Sequence, residues 1–373
     1  MTDMTLDQDQ RMLVDSARRY VERAYDTAVR ERSIAHDAGC SPETWSAFAE
    51  MGWLAMAVPE AAGGLGAQTL DLCLLAEEMG RGAVNEPWVA SGVLAASLLA
   101  DAATPAVTDE WTGSLMDGSR RIAFVPSQPG LEVRKEGNSL SLRGSSGLVL
   151  GGARAEAWLV QADAGEGLAA LVMVDARATG VDVRNCAMYD GRHAARLRFH
   201  GAAVTLVRED ASASIDGLVA KSRQRATLAH CAETVGAMQR AYEITLEYLK
   251  TRRQFGRAVA SNQVVQHRLV DLLVEIEEAR ALTQAAARMF DDVHAEDRAS
   301  GRMIAAAAAY VSKAARQSWK ECVQLHGAIG MTQEYELGQF VRRLAAAASL
   351  YGGESTNLER LASLSLDHEE ASA

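Results

Sequence analysis

From Asp216 to about Leu366 the chain reads as helix with few interruptions, and no other feature restricts its fold as much. Asp216 to Lys250 is one long run, Gln263 to Asp292 a second, and Arg298 to about His326 a third, Ala-rich at Ala305 to Ala309. Leu337 to Leu350 and Asn357 to Leu366 come next, and the acidic end from Asp367 to Ala373 is expected to fray. In the second run Val265, Leu269, Leu272, Leu273, Ile276 and Ala279 fall on one stripe. Long amphipathic helices with short links bury such stripes against each other as an antiparallel bundle.

The break between the first two runs is chemically the densest part of the chain. Tyr248 to Gln266 reads YLKTRRQFGRAVASNQVVQ, with Lys250, Arg252, Arg253 and Arg257 around Gln254, Phe255 and Gly256. One reading is a helix C-cap: Gly256 takes a positive φ, and the cations suit the negative end of the helix dipole. The other is an anion clamp, in which an arginine fork and free backbone amides hold a pyrophosphate.

Composition narrows the classes. The 373 residues are enough for two or three domains, are 48% hydrophobic with alanine dominant, and contain only six prolines, as in a mostly helical protein. A formal net charge of -11 argues against nucleic acid or an anionic membrane surface as partner. The N-terminus is acidic and polar, unlike a signal peptide, and no apolar run reaches membrane-spanning length, so a cytoplasmic location is expected. Five scattered cysteines form no CxxC pair and read as lone buried thiols of a reducing compartment. The eight histidines show no metal-ligand spacing, so no metal site is expected.

Upstream the chain begins with helices. Leu6 to about Ala28 is one, Ser41-Pro42-Glu43 starts another, and Thr69 to Met79 comes after the Gly-rich break Pro59 to Gly66. No βαβ strand precedes that break, so a nucleotide fingerprint there is weak. Glu86-Pro87-Trp88 and Thr104-Pro105 open two more helices. Near Gly118 the character changes to short extended runs: 121–126, 131–135, 139–143, 148–150, 157–161, 168–174 and 195–199. Their even spacing suggests a small antiparallel barrel or sandwich. The expected domains are thus N-terminal helices over 1–118, a central β domain over 119–210, and a C-terminal four-helix bundle over 211–373.

In that layout the sequence resembles the acyl-CoA dehydrogenase family over nearly its whole length. Pro59-Glu60, Gly63-Gly64-Leu65-Gly66 and Glu77-Glu78-Met79-Gly80 look like its N-terminal domain. YLKTRRQFGRAVASNQ and QLHGAIGMTQEY, Gln324 to Tyr335, look like its two C-terminal motifs. The resemblance implies FAD as cofactor and an acyl-CoA thioester as substrate. It implies loss of hydrogen from Cα and Cβ, with a carboxylate taking the α-proton and hydride passing to flavin N5. It implies further an electron-transfer flavoprotein or similar acceptor, and a homo- or hetero-oligomer with another chain of the family. Arg252, Gln254 and Phe255 would contact the FAD pyrophosphate, Gln263 the adenosine end, and Gln324 with Gly327 the same cofactor. Ala328 stands where the family often has a second Gly, and His326 reads as packing beside the cofactor.

The sequence departs from the family at the base. The usual Glu position matches Gly352 in Tyr351-Gly352-Gly353-Glu354, and the minority position matches Ala226. Glu354, two residues on, is the candidate catalytic carboxylate, with a helix first-turn acid as its other reading. Glu233, two turns from Ala226, is a weaker candidate. The β domain has also lost the family's flavin-touching segments at Phe124 to Gly130 and Gly144 to Leu150. The shortened form resembles the base-lacking subunits of heteromeric bacterial acyl-CoA dehydrogenases. Three functions are expected from this pattern: a dehydrogenase or a subunit of one, the same fold used for base-independent flavin chemistry such as acyl-CoA desulfination, or a non-catalytic scaffold.

Overall fold

The computed structural model describes residues 6–36, 39–102, 105–137, 139–292, 294–332 and 335–370. In chain order the helices before the sheet are α1 (Gln8–Ala24), α2 (Thr27–His36), α3 (Pro42–Glu50) and α4 (Thr69–Arg81). A π-helical stretch, Trp88–Ala95, runs into α5 (Ala96–Ala102), and α6 (Pro105–Met116) completes this part. The strands are β1 (Ile122–Val125), β2 (Glu132–Glu136), β3 (Ser139–Ser145), β4 (Val149–Leu150) and β5 (Ala157–Gly165). They continue with β6 (Leu168–Asp175), β7 (Val181–Ala187), β8 (His193–Ala203) and β9 (Thr205–Ala211). Then come α7 (Ser212–Thr251), a two-strand hairpin of β10 (Arg253–Gln254) and β11 (Arg257–Ala258), α8 (Gln263–Asp291), α9 (Asp297–His326), α10 (Leu337–Ala347) and α11 (Gly353–Glu370).

These elements form two compact units. The first comprises Met1–Asp26, Thr69–Val84 and Thr227–Ala373. Its helix starts obey local chemistry: Asp7 caps α1 in a reciprocal capping box with Gln10. Its core is the small-residue seam of α7, α8, α9 and α10, including Val235, Ala237, Met238, Ile276, Ala279, Val311, Ala315, Phe340 and Leu344. Helix α4 crosses α7 at backbone contact. A Cβ on Gly80 would lie 1.8 Å from the Glu233 carbonyl oxygen, and one on Gly236 1.8 Å from that of Glu77. A fork of Arg81 on Glu243 (2.8 and 2.9 Å) braces the crossing, and one of Arg18 on Glu78 (2.6 and 3.1 Å) ties α1 to α4.

The second unit, Thr27–Gln68 with Asn85–Ala226, holds the sheet. Strand order is β4-β8-β3-β2-β5-β6-β9, with β1 on β5 and β7 on β8. Most pairings are antiparallel as expected, but β1 and β2 pair with β5 in parallel, so the sheet is mixed. Alternate residues of β1 and β5 enter different cores. Phe124, Ala157 and Leu159 pack with α5 and α6, while Val125, Trp158 and Val160 pack with Leu142, Leu197 and Phe199 of β3 and β8. Strands covered on both faces read as unbroken apolar runs. Three elements of this unit lie outside the expected set: α2, β7 and β9. Strands β7 and β9 bury almost no side chain, so no apolar alternation announces them.

At an exposed helical position Gly→Ala stabilises by about 1 kcal/mol. Gly236→Ala is expected to do the reverse and cost about 3 kcal/mol in urea unfolding, because the α4–α7 crossing must open. A neutral or stabilising result would mean that the helices do not meet at backbone contact.

Candidate functional site

Helix α7 stops at Thr251, and the chain then enters a hairpin rather than a helix C-cap. Arg253 and Gln254 pair with Ala258 and Arg257, and the Val259 amide donates to the Arg252 carbonyl at 2.9 Å. Phe255 (φ +52) and Gly256 (φ +81) form the two-residue tip. Two successive left-handed residues make the turn whose twist matches a hairpin. Gly256 therefore has the positive φ expected of it, but in a turn five residues past the helix end. Phe255 bears a backbone cost of about 1–2 kcal/mol for the same angle, and its ring is 100% exposed.

The cations divide by partner. Arg257 donates to Asn262 Oδ1 at 2.7 Å and so braces the loop. Arg252, Arg253 and Gln254 are exposed, and their side chains hold no partner among the described residues. Gln263 is the exposed first residue of α8. Asn262, at the cap position, turns its amide to the Val259 carbonyl instead, so no side chain caps the α8 amides. An uncapped helix N-terminus beside free guanidiniums is an anion-ready arrangement.

The second motif meets the first through aromatic rings. His326, the last residue of α9, stacks on Tyr248 at 4.4 Å, with Tyr335 at 5.3 Å, and the Tyr248 hydroxyl donates to the His326 carbonyl at 3.4 Å. His326 Nδ1 lies 2.8 Å from the Cys322 carbonyl, an acceptor, so the proton sits on Nδ1. Burial lowers its pKa from the ordinary histidine value, so the ring is neutral at pH 7 and packs rather than carries charge. Gln324 and Gly327 are exposed at this end of α9, and Gly327 (φ +68, ψ −145) occupies a region open to glycine. Gln333 and Glu334 of the motif lie outside the described residues.

The two positions that the resemblance offers for a base, Gly352 and Ala226, carry no carboxylate, and both are crowded. Tyr351 (φ +51), Gly352 (φ +99) and Gly353 (φ +60) are three consecutive residues at positive φ. A Cβ on Gly352 would lie 3.1 Å from Asn357 Nδ2, which donates to the carbonyls of Tyr351 and Gly353 at 3.2 and 2.6 Å. Glu354 pairs with Arg316 of α9 and is about a quarter exposed at its side chain (26%). Ala226 is wholly buried. Glu233 is buried too, and both its oxygens are engaged: Oε1 accepts from Arg343 Nη1 at 3.0 Å, and Oε2 lies 3.3 Å from His230 Nδ1. Arg343 Nη2 donates to the Ala83 carbonyl at 3.0 Å, His230 Nε2 reaches the Ala347 carbonyl at 3.2 Å, and the His230 ring lies 4.8 Å from that of Tyr351. This buried cluster under the turn is the part of the site that sequence reasoning missed. The available signal was an arginine among the apolar positions of α10.

The two shortened β segments close on each other. A Cβ on Gly144 (φ +123) would lie 2.3 Å from the Gly130 carbonyl oxygen. Among the described residues no group of three or more histidine, cysteine or acidic side chains is placed to hold a metal. The described cysteines are all free thiols, and all but Cys186 are buried. No described helix is long and apolar enough to cross a membrane.

Comparison with known proteins agrees with this architecture. The profile of the acyl-CoA dehydrogenase N-terminal domain matches residues 7–119, and that of the C-terminal domain matches residues 219–363. The chain belongs to the acyl-CoA dehydrogenase family. Acyl-CoA dehydrogenase FadE34 of Mycobacterium tuberculosis is 29% identical over 91% of the chain, and the match spans only 45% of FadE34. The solved structure of a variant of the steroid ACAD Tcur3481-Tcur3483 superposes with TM-score 0.85 at 27% identity over 99% of this chain and 100% of that one. The ChsE4-ChsE5 complex from Mycobacterium tuberculosis gives TM-score 0.88 at 23% identity over 100% of both chains, a likeness of fold.

Gly352→Glu is expected to lower stability by about 1–2 kcal/mol in urea unfolding, since it forces a Cβ into a left-handed turn against Asn357. Gly352→Asn, a residue that tolerates this region, should cost less, and equal losses would show that backbone angle is not the cause.

Proposed function

We propose that this chain is a subunit of a flavin-dependent acyl-CoA dehydrogenase that supplies the cofactor clamp and leaves removal of the α-proton to a companion chain of the same family. The observation that carries this is an asymmetry. The clamp residues project free, while both family base positions lack a carboxylate and the nearby carboxylates Glu354 and Glu233 are held by Arg316 and by Arg343 with His230.

The residues present suit one end of FAD. Arg252 offers a planar fork for two phosphate oxygens, and Gln254 adds an amide beside it. The uncapped amides of α8, with Gln263 at its start, favour negative charge next to that fork. Gln324 and Gly327 approach from the aromatic junction, where a glycine lets backbone come close. Phe255 would leave water for a neighbouring subunit's apolar surface. When bound, FAD takes up the hydride from the acyl chain, and a separate carrier of electron-transfer-flavoprotein type would reoxidise it. An exposed clamp encloses nothing by itself, and this supports a cofactor shared between chains. The paired names of the two solved structures, ChsE4-ChsE5 and Tcur3481-Tcur3483, are consistent with assembly from two chains.

Flavin content decides between this reading and a self-sufficient enzyme. The chain purified alone is expected to carry far less than one FAD per chain, and to gain flavin and acyl-CoA-dependent bleaching on co-expression with a family member that keeps the Glu. In that assembly Arg252→Ala should weaken FAD retention by about tenfold or more, the loss of a charge-assisted hydrogen bond. An isolated chain with stoichiometric FAD that an acyl-CoA reduces would overturn the proposal.

A further inference from the structure

The outer face of the sheet carries arginines with no described acidic partner. Leu197 and Phe199 of β8 point into the core, so Arg196, Arg198 and His200 point out. On β7, Arg184 stands directly opposite Arg196, and Asp182 opposite Arg198. On β3, Arg143 stands opposite His200. Arg143, Arg184, Arg196 and Arg198 are all exposed and hold no side-chain partner among the described residues. The carboxylates of this lattice are engaged elsewhere: Asp182 lies 3.1 Å from His200 Nε2, and Glu132, across from Arg143, accepts from Arg134. Like charges placed directly opposite across a strand pair are destabilising, so Arg184 facing Arg196 costs the free fold something. That cost stands out in a chain whose net charge is -11.

The strand beside this lattice has an open edge. Among the described residues β7 pairs only with β8, and Asp182 to Asn185 are exposed on both faces, Val183 by 44%. Charge on an edge strand is a common guard against chance pairing with another chain. That guard accounts for Arg184 alone, because Arg143, Arg196 and Arg198 sit on the interior strands β3 and β8. Arginines on the exposed face of a sheet do not enclose a small anion. It does suit an extended chain, whose backbone would pair with β7 while alternate side chains cross the arginine rows.

We propose that the open edge of β7 and the arginine face of β3, β7 and β8 dock an acidic peptide segment of a partner protein, added as a further strand. Carboxylates at every second position of the segment would lie beside Arg184, with the long side chains of Arg196 and Arg198 reaching towards them from one strand further in. This stands apart from the clamp reading, since no residue is shared with it.

The test uses the full chain and a fluorescein-labelled peptide of alternating glutamate and valine, with binding followed by anisotropy. Wild type is expected to bind, and to bind less as salt rises. R184E/R196E/R198E should weaken binding by at least about tenfold. The milder R184Q/R196Q/R198Q should fall between, with unchanged circular dichroism showing that both variants fold. Reversal at three exposed arginines elsewhere, R19E/R23E/R302E, should leave binding as in wild type. Methylating alternate backbone amides of the peptide should abolish binding if it adds as a strand. Equal binding by wild type and the charge-reversed face would overturn the proposal. So would indifference to amide methylation, or inorganic polyphosphate or duplex DNA of equal charge binding tighter than the peptide.

Discussion

The contact between α4 and α7 at Gly80 and Gly236 sets the geometry of the first unit. Neither helix can bear a Cβ at the crossing, because each would drive into a carbonyl oxygen of the other. Backbones this close make the side chains around them short or charged in pairs. Ala83, Cys231, Ala237 and Ala241 fill the seam, the Arg81–Glu243 fork bounds it, and the Arg18–Glu78 fork ties α1 to α4. With the path of α7 fixed, its two chemical ends are fixed as well. Tyr248 meets His326 and Tyr335 near the helix end, and His230 with Glu233 meets Arg343 and the Tyr351 turn further back.

The buried ionic cluster has a different character from the surface forks. Removing one member would strand a charge in apolar surroundings, a loss of about 3–5 kcal/mol. The free energy of that cluster goes into holding a turn rather than into presenting a carboxylate. His230 reaches the last carbonyl of α10 and the ring of Tyr351, so α7, α10 and the turn after it share one set of polar contacts.

Much of this was legible in the sequence because periodicity and turn chemistry report burial. The long helices after Asp216, the Ser41-Pro42 helix start and the double-faced apolar strands all came from residue pattern. The cation cluster at Lys250, Arg252, Arg253 and Arg257 suggested either a helix C-cap or an anion clamp, and likeness to a family motif favoured the clamp. Their hairpin was not legible, because Arg253-Gln254 and Arg257-Ala258 are too short to show alternation and Phe255 breaks the rule against bulky residues at positive φ. Strands β7 and β9 were silent because they bury too little to need apolar side chains. The Glu233–Arg343–His230 cluster was silent for the opposite reason: Glu233 and Arg343 lie 110 residues apart, and nothing local marks one as the partner of the other.

Asn357 has a consequence for how such a chain can change over time. Its amide fills the room beside Gly352 and ties together the carbonyls on either side. A Cβ at 352 would meet that amide at 3.1 Å, so a side chain there asks the Asn357 side chain to shift and the backbone to bear a left-handed angle, two separate costs. A turn tied in this way is easier to keep than to rebuild around a larger side chain.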